Sequence, residues 1–253
     1  MKNIKAKTTL VISFLIALTA TVMFSPIFAI KEVNINVKDP DRSGMIYDSL
    51  SFEVGDNLNL LILTDGNIFN GHITKAEEQL VFSDRYIKTA SVMSAAKDII
   101  SVTCEVRDKN VRFNNGDLIM YCDYDGTILE ISREINENMP LLLGIEINKY
   151  YLGYNISTCN DRYISGTDIC SEIERYDKSM YTAFRSGITS VDLSEQEKIT
   201  IKYDNRIDIY IDLTKDVIYQ ANMMCSILSG INQNLEGHID FTISGDPYFT
   251  PNN

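Results

Sequence analysis

The segment KITIKYDNRIDIYIDL, residues 198–213, decides the fold class of this 253-residue chain. Ile199 and Ile201 precede the dipeptide Asp-Asn, and further isoleucines follow it, each alternating with a polar residue. Alternation with a period of two is typical of a strand that buries one face, and a short polar break between two such runs indicates a tight turn. We therefore predict a β-hairpin whose isoleucines face a core.

The residues on either side of this hairpin predict helices and one more strand. Residues 166–187 form an amphipathic pattern ending at Gly187, and residues 217–229 form a second one that stops at Gly230. After it, residues 237–243 alternate again, which predicts a last strand with Ile239, Phe241 and Ile243 on one face.

The region before residue 109 has a different order of elements. Residues 30–39 and 85–108 show strand periodicity, whereas residues 45–61 and 71–84 show helical spacing, with the first helix closing near Gly55. This predicts β-α-α-β-β over about 75 residues, a usual size for a domain. Together with the hairpins that follow residue 109, the pattern predicts an α+β protein.

Composition excludes several functional classes. With 35 acidic and 23 basic residues the net charge is −12, the wrong sign for a protein that must displace cations from nucleic acid. The five cysteines contain no C-x-x-C pair, and neither of the two histidines has metal-binding neighbours in sequence. We predict no metal, no cofactor, no nucleic-acid partner and no small-molecule substrate.

The N-terminal segment predicts the compartment. Residues 8–30 contain no charged residue, a length sufficient for a membrane helix, and Lys2, Lys5 and Lys7 precede it. We predict a cytoplasmic tail at 1–8, a transmembrane anchor at 9–29 and an extracytoplasmic remainder. A signal peptide cleaved after Ala29 is the alternative.

The segment LIMYCDYDGTILEI, residues 118–131, contains a pattern that also occurs in catalytic sites. It resembles the first motif of haloacid-dehalogenase-type phosphotransferases, where Asp123 would be the nucleophile and Asp125 the general acid near Mg²⁺. Such a site also needs a basic residue, further carboxylates and a parallel α/β sheet, which the following hairpins do not predict. Since Asp and Gly also favour tight turns, we predict a turn here and no catalytic residue.

Several segments resemble the FtsQ/DivIB family of bacterial cell-division proteins. SPIFAIKEVNINV (25–37) resembles the junction of membrane helix and first strand, and VGDNLNLL (54–61) is similar to a G-x-N-L segment. MPLLLGIEI (139–147) and GHIDFTISGDPYF (237–249) resemble later segments of the family, in the same order.

This resemblance implies a POTRA domain at 30–108 and a mostly antiparallel C-terminal β domain with two or more helices at 109–253. It also implies a non-enzymatic, single-pass scaffold of the division septum, with FtsL-like and FtsB/DivIC-like proteins as partners. We expect a partner strand to pair with an open sheet edge. The predicted edge is the last strand with the aromatics beyond it, which gives the partner-binding residues Ile239, Phe241, Ile243, Tyr248 and Phe249. An anchored or secreted phosphatase using Asp123 and Asp125, and a secreted adhesin, are the alternatives.

Overall fold

The computed structural model describes residues 2–136, 138–148, 150–158 and 161–252. Within it the chain divides into two compact units, Met1–Arg107 and Asp108–Asn253. Each unit has a hydrophobic core of its own.

In its described residues, the first unit contains a three-stranded sheet and four α-helices. Strand β1 lies parallel to β3, which occupies the centre, and β2 pairs with β3 in the antiparallel direction. The elements in chain order are α1 (Lys2–Met23), β1 (Glu32–Val37), α2 (Ser43–Asp48), α3 (Leu58–Asp65), α4 (Thr74–Ser83), β2 (Ile87–Ala96) and β3 (Ile99–Val106), with 3-10 turns at Pro26–Phe28 and Pro40–Arg42.

Three helices, rather than the predicted two, connect β1 to β2. The first helix, predicted to close near Gly55, ends earlier, at Asp48, and α3 beyond Gly55 was not predicted; Gly55 itself has a positive φ of 107°. Asn57 then starts α3, since its side-chain oxygen accepts a hydrogen bond from the Leu60 amide at 3.0 Å.

The predicted anchor at residues 9–29 is not confirmed. Among the described residues, no helix combines the length and the apolar character that crossing a bilayer requires.

The second unit, over the residues that the structure describes, contains a nine-stranded mixed sheet. Its order is β12-β11-β10-β9-β8-β7-β4-β5-β6, with parallel pairing between β4 and β7, β7 and β8, and β10 and β11. The elements are β4 (Val111–Asn115), β5 (Leu118–Cys122), β6 (Ile128–Ser132), β7 (Leu141–Leu143), a 3-10 turn (Ile156–Thr158), α5 (Asp161–Met180), α6 (Phe184–Gly187), β8 (Ile188–Asp192), β9 (Lys198–Tyr203), β10 (Ile207–Asp212), α7 (Val217–Ser229), β11 (Gly237–Asp240) and β12 (Phe249–Pro251).

The predicted hairpin is confirmed as β9 and β10. Residues 204–206 connect the strands, Asp204 and Asn205 both have positive φ, and Ile201 lies opposite Ile209. The isoleucines of both strands are fully buried, and residues of α5 and α7 share the same core. The helix that ends before Gly230 is also confirmed.

The helix predicted at residues 166–187 instead starts at Asp161 and breaks after Met180. Tyr181 adopts a positive φ of 55°. The buried Asp177 carboxylate holds the turn that follows. It accepts hydrogen bonds from the Thr182 hydroxyl at 2.7 Å and from the amides of Phe184 at 2.9 Å and Arg185 at 2.7 Å.

We expect Asp177→Ala to lower the free energy of unfolding by about 3 kcal/mol, because each buried polar group left without a partner costs about 1–3 kcal/mol. Urea unfolding of the full chain measures the loss. Asp208→Ala is the control. It removes a half-exposed carboxylate that lies 3.2 Å from Lys202, and its effect should stay below about 1 kcal/mol. Equal losses for both variants would contradict the role assigned to Asp177.

Candidate functional site

The Asp123 segment forms the turn between β5 and β6. The Asp123 carboxylate is buried and accepts a hydrogen bond from the Thr127 amide at 2.7 Å. The Gly126 amide donates to the Asp123 carbonyl at 3.2 Å, and Gly126 has a φ of 93°. The carboxylate therefore stabilises the backbone of its own turn.

Side chains from two other elements bind the same turn. Tyr163 of α5 donates its hydroxyl to the Asp123 carbonyl at 2.5 Å, and Thr167 of α5 donates to the Tyr124 carbonyl at 3.0 Å. Asn155 donates to the Asp125 carbonyl at 3.0 Å. Burial strongly raises the pKa of Tyr163, which keeps its hydroxyl protonated and able to donate.

This geometry favours the turn interpretation over the phosphatase one. Strand β5 pairs antiparallel with β4 on one side and with β6 on the other, so Asp123 does not lie at the end of a parallel strand. In the described part of the chain, no group of three His, Cys, Asp or Glu side chains is arranged to hold a metal ion.

The edge of the sheet differs from the prediction. Strand β11 was predicted to run from residue 237 to 243 and to form the edge, but it ends at Asp240 and is covered by β12. Phe249 lies opposite Ile239, and Pro251 lies opposite Gly237. The edge is therefore β12, and the prediction that β11 forms it is wrong.

The five predicted partner-binding residues fall into two groups. Ile239 of β11 and Phe241, which directly follows that strand, are buried in the core, 0% and 5% exposed. Ile243 is 43% and Tyr248 is 63% exposed, while Phe249 is half-buried against the core. A partner can reach Ile243 and Tyr248 without disturbing the core, and their role in binding stays a prediction.

Helix α7 positions β11 beside β10 by a crossover connection. Its N-terminus is capped by Asp216, whose carboxylate accepts from the Tyr219 amide at 3.0 Å. The buried Gln220 side chain then bonds both backbone groups of Asp212, accepting from its amide at 2.9 Å and donating to its carbonyl at 2.7 Å. This pair of hydrogen bonds joins α7 to the end of β10.

Strands β10 and β11 are parallel, and similar local hydrogen bonds form where each of them ends. Asp240 accepts from the amide and the hydroxyl of Thr242, at 2.8 and 2.6 Å, and Lys215 donates to the Phe241 carbonyl at 2.5 Å. Asp212 forms the same turn with Thr214, and these hydrogen bonds, together with Lys215, lower the pKa of the Asp212 carboxyl. The chain is thus turned away from the sheet before it returns as β12.

The outer side of β12 offers few backbone groups. The Asn252 amide donates inward to the Glu236 carbonyl at 2.9 Å, and Thr250 lies opposite His238. Because alternate residues direct their backbone groups to opposite sides, Phe249 and Pro251 face outward. Proline has no N–H, so within β12 only Phe249 presents both a donor and an acceptor outward.

The opposite edge of the sheet, β6, is bonded at its first residue. The Ile128 amide donates to the Tyr154 carbonyl at 2.9 Å, and the Gly153 amide donates to the Ile128 carbonyl at 2.8 Å. Along the described part of the chain, no strand pairs with the outer side of β12. Since Phe249 lies in β12 and Tyr248 precedes it, the β12 edge is the candidate site for a partner strand.

The sequence pattern did not predict β12, nor the role of Gly237 in letting β12 pack against β11. A side-chain carbon on Gly237 would overlap the Thr250 carbonyl oxygen and would lie 2.7 Å from the Phe249 ring. Only glycine lets the two strands approach this closely. The glycine is visible in the sequence, but its partner lies a dozen residues later among turn residues, without a strand pattern.

No protein-family model matches this chain. Cell division protein DivIB of Clostridium acetobutylicum is 22% identical over 229 residues, which cover 89% of this chain and 84% of that protein. The solved major extracytoplasmic domain of the trans isomer of DivIB from Geobacillus stearothermophilus matches 52% of this chain and 99% of that chain, at 9% identity and a TM-score of 0.35. A TM-score of this size supports no conclusion.

We expect Gly237→Ala to release β12 from β11, since the added methyl group and the Thr250 carbonyl cannot both keep their places. Hydrogen exchange should then rise at Thr250 and Asn252 and stay unchanged in β9 and β10. Gly230→Ala is the matched control, because its added carbon would lie an ordinary 3.5 Å from the Ile227 carbonyl oxygen. Unaltered exchange at Thr250 in Gly237→Ala would refute this role of Gly237.

Proposed function

We propose that this chain, which is related to the FtsQ/DivIB cell-division proteins, is a non-enzymatic scaffold that joins division proteins at the septum. The family resemblance seen in the sequence is confirmed by the clostridial relative, which aligns with most of the chain. That relationship supports a role in cell division. The mechanism, the partners and the attachment to the membrane are parts of the proposal.

One observation carries the proposed mechanism, namely the open edge at β12. A partner strand would bond to the outward groups of Phe249 and extend along the residues before it, next to the exposed Ile243 and Tyr248. Addition of a strand to a sheet edge derives affinity from main-chain hydrogen bonds and specificity from alternate side chains. Pro251 limits this edge, which protects it from pairing with unrelated chains.

Tyr248 is the anchor that we propose for the partner. Its side chain is 63% exposed beside the edge, and tyrosine is enriched both at interfaces and among the residues that dominate binding energy. The partners proposed are FtsL-like and FtsB/DivIC-like proteins, since these are what the family resemblance implies.

Membrane attachment is proposed from the N-terminal sequence. Residues 8–30 carry no charge, and the lysines before them favour a cytoplasmic N-terminus. In this arrangement the tail is 1–8, the anchor 9–29, the POTRA domain 30–108 and the β domain 109–253. The domains after the anchor would then work outside the cytoplasm at the division septum.

The competing function is a Mg²⁺-dependent phosphatase that uses Asp123 and Asp125. We expect the full chain to release no phosphate from a phosphomonoester with Mg²⁺, because the Asp123 carboxylate is buried and bonded within its turn. The measurement compares phosphate release by the wild type and by Asp123→Asn. Magnesium-dependent release that disappears in the variant would establish the enzyme and remove the scaffold proposal.

We expect Tyr248→Ala to weaken capture of an FtsL-like and DivIC-like pair by about thirtyfold, since an aromatic anchor contributes about 2 kcal/mol or more. The dissociation constant of the full chain in vesicles measures this. Tyr151→Ala is the matched control, because Tyr151 is 62% exposed but lies away from β12. If both variants bind as tightly as the wild type, the β12 edge is not the binding site.

A further inference from the structure

Helix α3 is apolar on its outer face as well as its inner one. Leu58 and Leu61 are buried in the core of the first unit, but Leu60 and Leu63 on the other side are 41% and 54% exposed. Surface helices usually present polar residues to water. Thr64, the polar neighbour of Leu63, donates its hydroxyl to the Leu60 carbonyl at 3.0 Å and is thus satisfied within the helix.

A hydrogen bond places the start of α3 next to the end of α1. The Asn57 side chain donates to the Ser25 carbonyl at 3.3 Å, while its oxygen caps α3. From this point α3 extends beside α1, since Leu60 and Leu63 line one side of a crevice of about 380 Å³ whose other side includes Leu15 and Phe24. The outer face of α3 therefore continues the uncharged surface of residues 8–30.

The loop after α3 extends this apolar surface. Ile68 and Phe69 are 62% and 93% exposed. The loop is nevertheless ordered by hydrogen bonds, because the Asn67 side chain accepts from the Phe69 amide at 2.9 Å and the Asn67 amide donates to the His72 carbonyl at 2.7 Å. A contiguous exposed apolar patch, rather than a single exposed side chain, is what marks a contact surface, and these residues follow α3 directly in the chain.

The carboxylate at the C-terminal end of α3 is paired with a lysine. Asp65, at the C-terminal end of α3, forms an ion pair with Lys75 at 2.5 Å. A carboxylate paired with a lysine is repelled less by an anionic surface than an unpaired one is.

We propose that Leu60, Leu63 and Phe69 dock into the outer leaflet of a lipid bilayer, so that the first unit rests on the membrane surface. This inference rests on the proposed anchoring through residues 9–29, because only an inserted α1 brings α3 to the lipid. The apolar side chains of an interfacial helix enter the headgroup and acyl boundary by about 5–10 Å. The lipid chains that surround an inserted α1 would also contact the outer face of α3, because both surfaces are apolar.

The absence of tryptophan from the chain allows a direct test. Three single-tryptophan variants of the full chain, Leu63→Trp, Val11→Trp and Phe82→Trp, would be reconstituted in phosphatidylglycerol–phosphatidylethanolamine vesicles with or without brominated acyl chains. Val11, on α1, is as exposed as Leu63, at 54%. Phe82, 94% exposed on α4, shares its helix face with the exposed Glu78 and Gln79 and serves as the aqueous control.

We expect brominated lipid to quench the Leu63→Trp variant nearly as strongly as the Val11→Trp variant, with blue-shifted emission, and to leave the Phe82→Trp variant unquenched. If Leu63→Trp is unquenched while Val11→Trp is quenched, the docking is overturned and the anchor stays intact. Blue-shifted but unquenched emission from Leu63→Trp would mean that α1 itself covers α3, which also overturns the docking. If Val11→Trp is unquenched and the chain does not float with vesicles, the anchor of the proposed function fails, and the docking fails with it.

Discussion

Burial of the isoleucine face of β9 and β10 is the constraint on which the second unit depends. Five isoleucines on these two strands are fully buried, and each buried side chain of this size contributes about 1.5–3 kcal/mol. A sheet with one such face must be covered, and α5 and α7 supply the cover. Since α7 connects β10 to β11 across that face, β11 must lie parallel to β10, and the chain must turn back before another strand can add.

The position of the open edge follows from this order. Strand β11 ends at Asp240, where the Asp240–Thr242 turn and Lys215 direct the chain away from the sheet, and the returning segment covers β11 as β12. At the far edge, the first residue of β6, Ile128, is bonded by residues 153–154. A scaffold that recruits a strand needs one accessible edge that does not pair indiscriminately, and a three-residue strand with one outward proline fits both needs.

The Asp123 turn and helix α3 show how the same residue types serve different ends. The buried Asp123 carboxylate accepts a hydrogen bond from a backbone amide and stabilises a turn, although the sequence around it resembles a phosphotransferase motif. In α3, leucines occur on both sides, and only their neighbours separate those that fill a core from those that face outward. In both places the environment of the side chain, rather than its identity, decides what it does.

Elements whose signal is local can be predicted from neighbouring residues alone. The two-residue period of the β9–β10 hairpin, its Asp-Asn turn and the helix that stops at Gly230 are all written within a few residues. The end of α5 depends on contacts beyond its own residues, because Asp177 accepts hydrogen bonds from the amides of residues seven and eight positions later. The pairing of β12 with β11 depends on such contacts too, since the contact of Gly237 with Phe249 joins residues without a shared local pattern. The energy of such pairings comes from contacts across the fold, which a reading of neighbouring residues does not contain.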